Sequence, residues 1–272
     1  MPQEPHDTDE SAQSVIAAAP TAMQTPAPNT ATPHPMATPV LPTATPALDP
    51  NLVLPDLQSL PPGDLVIETT ADNRKLLRLT NSILNAGPGT LELLGVLNPA
   101  TNKMAVTQHI ATLTGAIEEH AAGEFVFHAD HEHWHLENFA LYEVWSLTLE
   151  GDLDDVVAFT DKVSYCIRDN SRSAVAGAAP RAIFTSCNQD LQGITAGWID
   201  TYAYDTAGQI VDITHVLDGV YALQSTVDPD DHLWEVDDMN NAVTVYFELE
   251  GSQVQILDRA DAVKQLRLRE NQ

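Results

Sequence analysis

From Leu52 to Glu250 the sequence is a succession of short apolar runs broken by Gly, Pro, Asn and Asp. The segment LLRLTNSILNAGPGTLELLG reads as a strand, a turn at NAGPG and a second strand. EFVFHADHEHWHLENFALYEVWSLTLEG holds two strands around a polar centre. In VVAFTDKVSYCIRD one strand face takes Phe159, Val163, Tyr165 and Ile167, and the other takes Lys162, Ser164 and Cys166. WIDTYAYDTAGQIVDIT turns at Ala207 and Gly208, and GVYALQSTVD and AVTVYFELEG complete the series. A 3.6-residue period is sustained only in QVQILDRADAVKQLRLREN, which marks the tail over 252–272 as open to a short amphipathic helix. Many short strands with regular turn signals predict an all-β, β-sandwich-like domain with long loops over 51–251.

Residues 1–50 have a different character. TPAPNTATPHPMATPVLPTATPALDP offers almost nothing large to bury, so it cannot offset its ordering entropy and is expected to stay disordered. His6 and His34 fall there and are read as incidental. The chain carries 39 acidic against 12 basic residues, a formal charge of −27, and no Lys or Arg precedes Arg74. Such a balance excludes nucleic acid, which needs clustered cations, and docking on anionic lipid. It suits solubility and the attraction of cationic partners such as protonated amines. No apolar run is long enough to span a bilayer, and no basic region followed by an apolar stretch opens the chain. Ser/Thr/Pro-rich segments are common as stalks, so the expected location is secreted or tethered at a cell surface, with the signal or anchor absent from this sequence. Cys166 and Cys187 match no zinc spacing; two inert thiols and one disulfide both remain open at this point.

Four of the ten histidines fall close together: His128, His131, His133 and His135. The last three form HEHWH. Alternate residues of a strand share a face, with successive side chains roughly 6.6–6.8 Å apart. Twist and rotamer choice then allow three imidazoles to meet at one ion. Three neutral nitrogen ligands suit Cu(II), Zn(II) or Ni(II). Glu132 and Trp134 would face the other way, Trp134 as a core residue. A row of histidines that binds nothing is the plain alternative.

These blocks resemble the lysyl oxidase family. HADHEHWHLENFALYEVW is similar to its copper strand, and KVSYCIRD to its Lys-x-Ser-aromatic-Cys block. GITAGWIDTYAYDTAGQIVDIT resembles its Gly-x-Ser-x-Gly-x-x-Asp-Thr-Tyr block, and GVYALQSTVDPDDHLWEVDDMNNAV its closing segments. LPDL at 54–57 and NAGPGTLEL at 85–93 resemble its early strands. The order is the family's throughout. The resemblance implies copper held by His131, His133 and His135, and the organic cofactor lysine tyrosylquinone made from Lys162 and Tyr202. Lys162 is one of only four lysines, which adds weight to its position. An ordinary strand Lys and a core Tyr are the plain readings of the pair. The resemblance also implies a disulfide between Cys166 and Cys187. Asp56, the Leu57 carbonyl, Glu235, Asp237, Asn240 and Asn241 resemble a structural Ca(II) site, all hard oxygen donors; a polar turn is the alternative.

The implied activity is oxidative deamination of primary amines by molecular oxygen, giving aldehyde, hydrogen peroxide and ammonia. Peptidyl lysine, small alkyl amines and polyamines all qualify as substrates. Asp200, two residues before Tyr202, is the candidate general base. Cofactor formation needs Lys162 unprotonated, so partial burial is expected there. The chain lacks the additional disulfides of the animal enzymes and one residue between the third His and the following Phe, as microbial members do. Two rival readings remain: a non-catalytic copper- or metal-binding β-sandwich module on an exported stalk, and an adhesion domain with incidental histidines.

Overall fold

The computed structural model describes residues 49–129, 132–187 and 190–270. The segment expected to be disordered lies outside the described residues up to position 48, and so do His6, His34 and His131. The strands are β1 (Leu52–Val53), β2 (Leu57–Leu60), β3 (Leu65–Thr69), β4 (Lys75–Leu79), β5 (Asn81–Asn85), β6 (Leu91–Asn98), β7 (Lys103–Thr112), β8 (Ile117–His128) and β9 (His133–Leu147). They continue with β10 (Leu153–Phe159), β11 (Val163–Tyr165), β12 (Ser171–Arg172), β13 (Leu191–Ile194), β14 (Trp198–Tyr202), β15 (Ile210–Asp212), β16 (Gly219–Val227), β17 (Ala242–Glu250) and β18 (Gln253–Leu257). One helix, α1 (Arg259–Glu270), closes the described chain.

All pairings among the described residues are antiparallel. The large sheet runs β13-β6-β7-β8-β9-β16-β17-β18, with β1 added on β7 and β10 and β11 added on β9. Two smaller sheets have the orders β12-β14-β5-β2 and β15-β4-β3. Leu57, Leu77, Ile83 and Val211 from the small sheets join Phe139, Tyr142, Leu223 and Phe247 of the large one in a single core. This is the all-β, layered arrangement that alternating patterning predicts, because each sheet must bury one face against another.

Strand β9 organises the site. Leu136 pairs with Phe125 of β8 and with Tyr165 of β11, while Ala140 pairs with Val227 of β16 and Val163 of β11. A residue has two ladder edges, so β8 and β16 share one edge of β9 while β11 and β10 share the other. The sequence reads 156–167 as one regular strand; the structure divides it. Phe159 faces Glu143 and Val163 faces Ala140, so the outer strand carries one more residue than β9 over this interval. Thr160 stays bound to β9, its N–H donating to the Tyr142 carbonyl at 2.9 Å. Its hydroxyl accepts from the Tyr142 N–H at 3.2 Å. Asp161 and Lys162 are therefore in a bulge outside the ladder, the device by which sheets re-aim a side chain. Lys162 is consequently not a mid-strand residue.

The turn expected at Ala207–Gly208 separates β14 from β15, with Gly208 at φ 87, a left-handed conformation natural to glycine. In the tail, residues 253–257 form a hairpin strand on β17 before the helix begins. Asp258 starts that helix, its carboxylate accepting the Asp261 N–H at 2.8 Å. Arg267 and Arg269 occupy the last turn, where positive charge suits the helix dipole.

Candidate active site

The β8–β9 hairpin creates the imidazole cluster. His128 ends β8 and pairs directly with His133, the first residue of β9. The rings of His128 and His135 are stacked with centroids 4.1 Å apart, and those of His133 and His135 lie 4.7 Å apart. Alternation on β9 places His133 and His135 on one face, and cross-strand pairing brings in His128. Glu132 has φ 55, and β9 begins at His133. Of the three expected ligands His133 and His135 are described, and His131 lies outside the described residues. His128, noted in the sequence as a neighbour, is the imidazole that pairing adds. Among the described residues no three His, Cys, Asp or Glu side chains are grouped closely enough to hold a metal ion. The cluster's chemistry still suits copper: three imidazole rings gathered at one hairpin end are the borderline nitrogen donors that Cu(II) favours. Trp134 faces away from the cluster as expected, packing partly buried on the core with an edge contact to Phe127.

A cavity of about 470 Å³ opens beside the cluster, lined by His128, His135, Phe159, Lys162, Val163 and Ile210, among others. Lys162 bonds through Nζ to the Asp230 carboxylate. Its side chain is 35% exposed, and the residue as a whole is exposed. Tyr202 belongs to β14 and is not among the residues lining this cavity; its ring is tilted against Tyr165 with centroids 4.2 Å apart. The Tyr202 hydroxyl donates to the Cys166 carbonyl. Burial, reinforced by the nearby Asp200 charge, raises the Tyr202 phenol above the usual tyrosine range. The Lys162 amine and the Tyr202 phenol thus engage different partners.

Asp200 is fully buried on the same face of β14 as Tyr202. One of its oxygens accepts the Arg168 N–H at 3.3 Å, while Oδ1 is buried with no hydrogen-bond donor placed on it among the described residues. Burial raises this carboxyl well above the usual aspartate range. Cys166 and Cys187 form a disulfide with Cα atoms 5.5 Å apart. This crosslink ties the two halves of the site together. Cys166 supplies the acceptor for Tyr202, and the Cys187 carbonyl accepts the N–H of Trp134, between the two strand histidines, at 3.4 Å. Gln192, fully buried, adds a second tie: it accepts from the Ile167 N–H and donates to the Trp134 carbonyl, both at 2.9 Å.

Sequence reasoning missed several of these partners. Asp230 carries no signal beyond the turn-like DPDD run. Tyr142, Tyr165 and Gln209 form a buried hydrogen-bonded knot beneath Tyr202 that no linear spacing announces. Asp169 accepts main-chain bonds from Ile183, Phe184 and Thr195.

Hydrogen bonds join some members of the oxygen-rich group. Glu235, nearly buried, accepts the Leu57 N–H at 2.6 Å and an Asn241 side-chain N–H at 2.8 Å. Asp56 accepts from the Asn240 side chain at 2.9 Å. Asp237 caps the single turn Asp238–Asn240 through the Met239 N–H. Leu57 thus enters through its N–H. Among the described residues no donor reaches the buried side-chain oxygens of Asn240 and Asn241. Burial pushes Glu235 up to about 8.

The fold and site define an all-β domain with an imidazole cluster, a cavity lysine and a partly buried tyrosine, and the relatives place that class. The family model for Lysyl oxidase matches residues 102–258. The chain belongs to the lysyl oxidase family. It is 34% identical over 131 residues to Lysyl oxidase homolog 4 of Mus musculus, covering 48% of this chain and 16% of that protein. It is also 34% identical over 118 residues to Protein-lysine 6-oxidase of Rattus norvegicus, 43% of this chain and 26% of that one. Lysyl oxidase homolog 2 of Xenopus laevis is 28% identical over 186 residues, 68% of this chain and 20% of its own length. The chain thus spans about a quarter or less of these relatives.

Proposed function

We propose that this chain is a copper-dependent amine oxidase that converts a primary amine, water and dioxygen to an aldehyde, ammonia and hydrogen peroxide. The observation that carries this reading is the shared cavity: His128 and His135 line it together with Lys162. Copper would be held by His131, His133 and His135, with His128 against His135 as a further imidazole. Bound copper and a lysine tyrosylquinone built from Lys162 and Tyr202 would supply an electrophilic carbonyl and a path for electrons to dioxygen.

The chain's own groups support such a role. Phe159, Val163 and Ile210 give the cavity an apolar wall for an alkyl chain. Asp161 and Asp212 at its margin favour the approach of an ammonium ion. Burial raises the Asp200 carboxyl well above the usual aspartate range, which favours its taking up a proton. It sits beside Tyr202, where the substrate carbon would be activated. Ca(II) would occupy the oxygen cluster of Asp56, Leu57, Glu235, Asp237, Asn240 and Asn241; the donor-less Asn240 and Asn241 oxygens and the buried Glu235 suit a hard cation. A disulfide of this kind fits an exported or surface-tethered protein. The rat relative's name, Protein-lysine 6-oxidase, favours lysine side chains of proteins as substrates, with small alkyl amines and polyamines as the simpler alternatives.

A second reading is a non-catalytic copper-binding module, which would keep the imidazole cluster and leave Lys162 on Asp230 and Tyr202 on Cys166. Two measurements separate the readings. The copper-loaded protein is expected to release peroxide from a primary alkyl amine, and digestion is expected to yield one crosslinked peptide containing Lys162 and Tyr202. Stoichiometric copper with uncrosslinked peptides and no peroxide would establish the binding module instead.

A further inference from the structure

We infer that Asp230 is a positioning residue that tethers Lys162, and that Lys162 reaches Tyr202 only after leaving this carboxylate. The inference rests on the oxidase reading for its meaning, but the tether itself stands on geometry.

Asp230 is presented by a loop pinned to β9. The Asp228 N–H donates to the Phe139 carbonyl at 2.9 Å. The Asp228 carboxylate accepts from the N–H groups of His232 at 3.1 Å and Leu233 at 2.8 Å. Asp228 and Asp231 hold positive φ values of 44 and 55, which non-glycine residues adopt only where surrounding bonds impose them. The turn thus fixes Asp230 above the start of β9. Asn138 on β9, also at positive φ (59), donates from its side chain to Asp230 Oδ2 at 3.2 Å. The other oxygen, Oδ1, takes the Lys162 ammonium. Both oxygens are committed, one to orientation and one to the amine, and the lysine they hold comes from the bulge rather than the ladder. That segment lacks cross-strand bonds at 161 and 162, so the tether is what fixes the amine's position.

The Tyr202 ring, meanwhile, is held on Tyr165 and through its hydroxyl on Cys166. A bond from Nζ to a carbon of that ring therefore requires release from Asp230. In the completed crosslink the two side chains together gain one oxygen atom and lose four hydrogens. Two molecules of dioxygen are the oxidant, leaving as one water and one hydrogen peroxide beside the incorporated oxygen.

The test compares wild-type protein, Asp230→Asn and Asn138→Ala. In metal-free protein, brief acylation followed by peptide mass measurement reads the reactivity of Lys162 against the exposed Lys264 as internal reference. The expected result is about a two- to five-fold rise in Lys162 labelling for Asp230→Asn, the range a partly exposed ion pair supports, and a smaller rise for Asn138→Ala. After copper is added in aerated buffer, the crosslinked peptide is expected to accumulate faster in Asp230→Asn by a similar factor. Unchanged Lys162 labelling in a folded Asp230→Asn protein would overturn the tether. So would slower crosslinking in that variant, because the carboxylate would then be a productive partner and not a restraint. Faster labelling with no crosslink in any of the proteins would refute the oxidase reading while upholding the tether.

Discussion

Replacing Asp169 by Ala is the sharpest test of how the site is held. Its carboxylate is nearly buried and serves four donors. Oδ1 accepts the Thr195 N–H at 2.8 Å; Oδ2 accepts the Ile183 N–H at 2.8 Å, the Phe184 N–H at 3.1 Å and the Thr195 hydroxyl at 2.6 Å. Ile183 retains the Thr195 hydroxyl as a second acceptor at 3.2 Å. Removal of the carboxylate therefore strands the N–H groups of Phe184 and Thr195, in residues that are 3% and 1% exposed. Each stranded buried donor costs about 1–3 kcal/mol, so Asp169→Ala is expected to lose about 3–5 kcal/mol. That is a large part of the roughly 5–15 kcal/mol typical of a folded domain. Urea unfolding measures it as a lowered midpoint with an unchanged slope. Thr195→Val, which removes only the hydroxyl, provides the control and should lose about 1 kcal/mol. A loss below about 1 kcal/mol for Asp169→Ala would refute the reasoning, since water or a shifted loop would have to satisfy those donors.

Three other outcomes are expected. In metal-free protein Glu235 carries a proton in the folded state that the unfolded chain releases, because its folded value of about 8 lies above the ordinary 4.5. The Glu235 contribution to stability should then be fully present below pH 4.5 and fall by about 1.4 kcal/mol per pH unit as pH rises toward 8, a part of the slope that Glu235→Gln removes in denaturation measured across that range. Reducing the Cys166–Cys187 bond, which spans 21 residues, should remove about 3 kcal/mol of stability by the loop-entropy estimate, read as a lowered melting temperature of the alkylated protein. His133→Ala and His135→Ala should each weaken copper binding by at least about tenfold in a competitive chelator titration while leaving the disulfide intact, as loss of one ligand of a nitrogen site does.

The four-histidine run, the placement of Lys162 near it in sequence, and the Asp-x-Tyr pair of β14 are all visible in the linear order, because strand periodicity and motif spacing are local properties. Geometry across strands is not. HEHWH reads as three ligands on one face; His133 and His135 do share a face of β9, and a further ring beside His135 belongs to His128 across the hairpin. VVAFTDKVSYCIRD reads as one strand, yet a single extra residue opposite β9 lifts Lys162 from the ladder. Neither is coded in the alternation of the segment itself; both arise from the register that β9 imposes on its neighbours.

By itself the sequence determines an all-β domain, an acidic surface and a local stock of imidazoles, since burial patterns and charge need only the order of residues. Tertiary structure alone decides that Asp230 meets Lys162, that Cys166 receives the Tyr202 hydroxyl, and that Glu235 takes the Leu57 N–H and the Asn241 side-chain N–H. These partners are separated by 68, 36, 178 and 6 residues, three of them far apart along the chain. A contact between such distant groups is set by how whole sheets stack and register, and no short window of sequence contains that information.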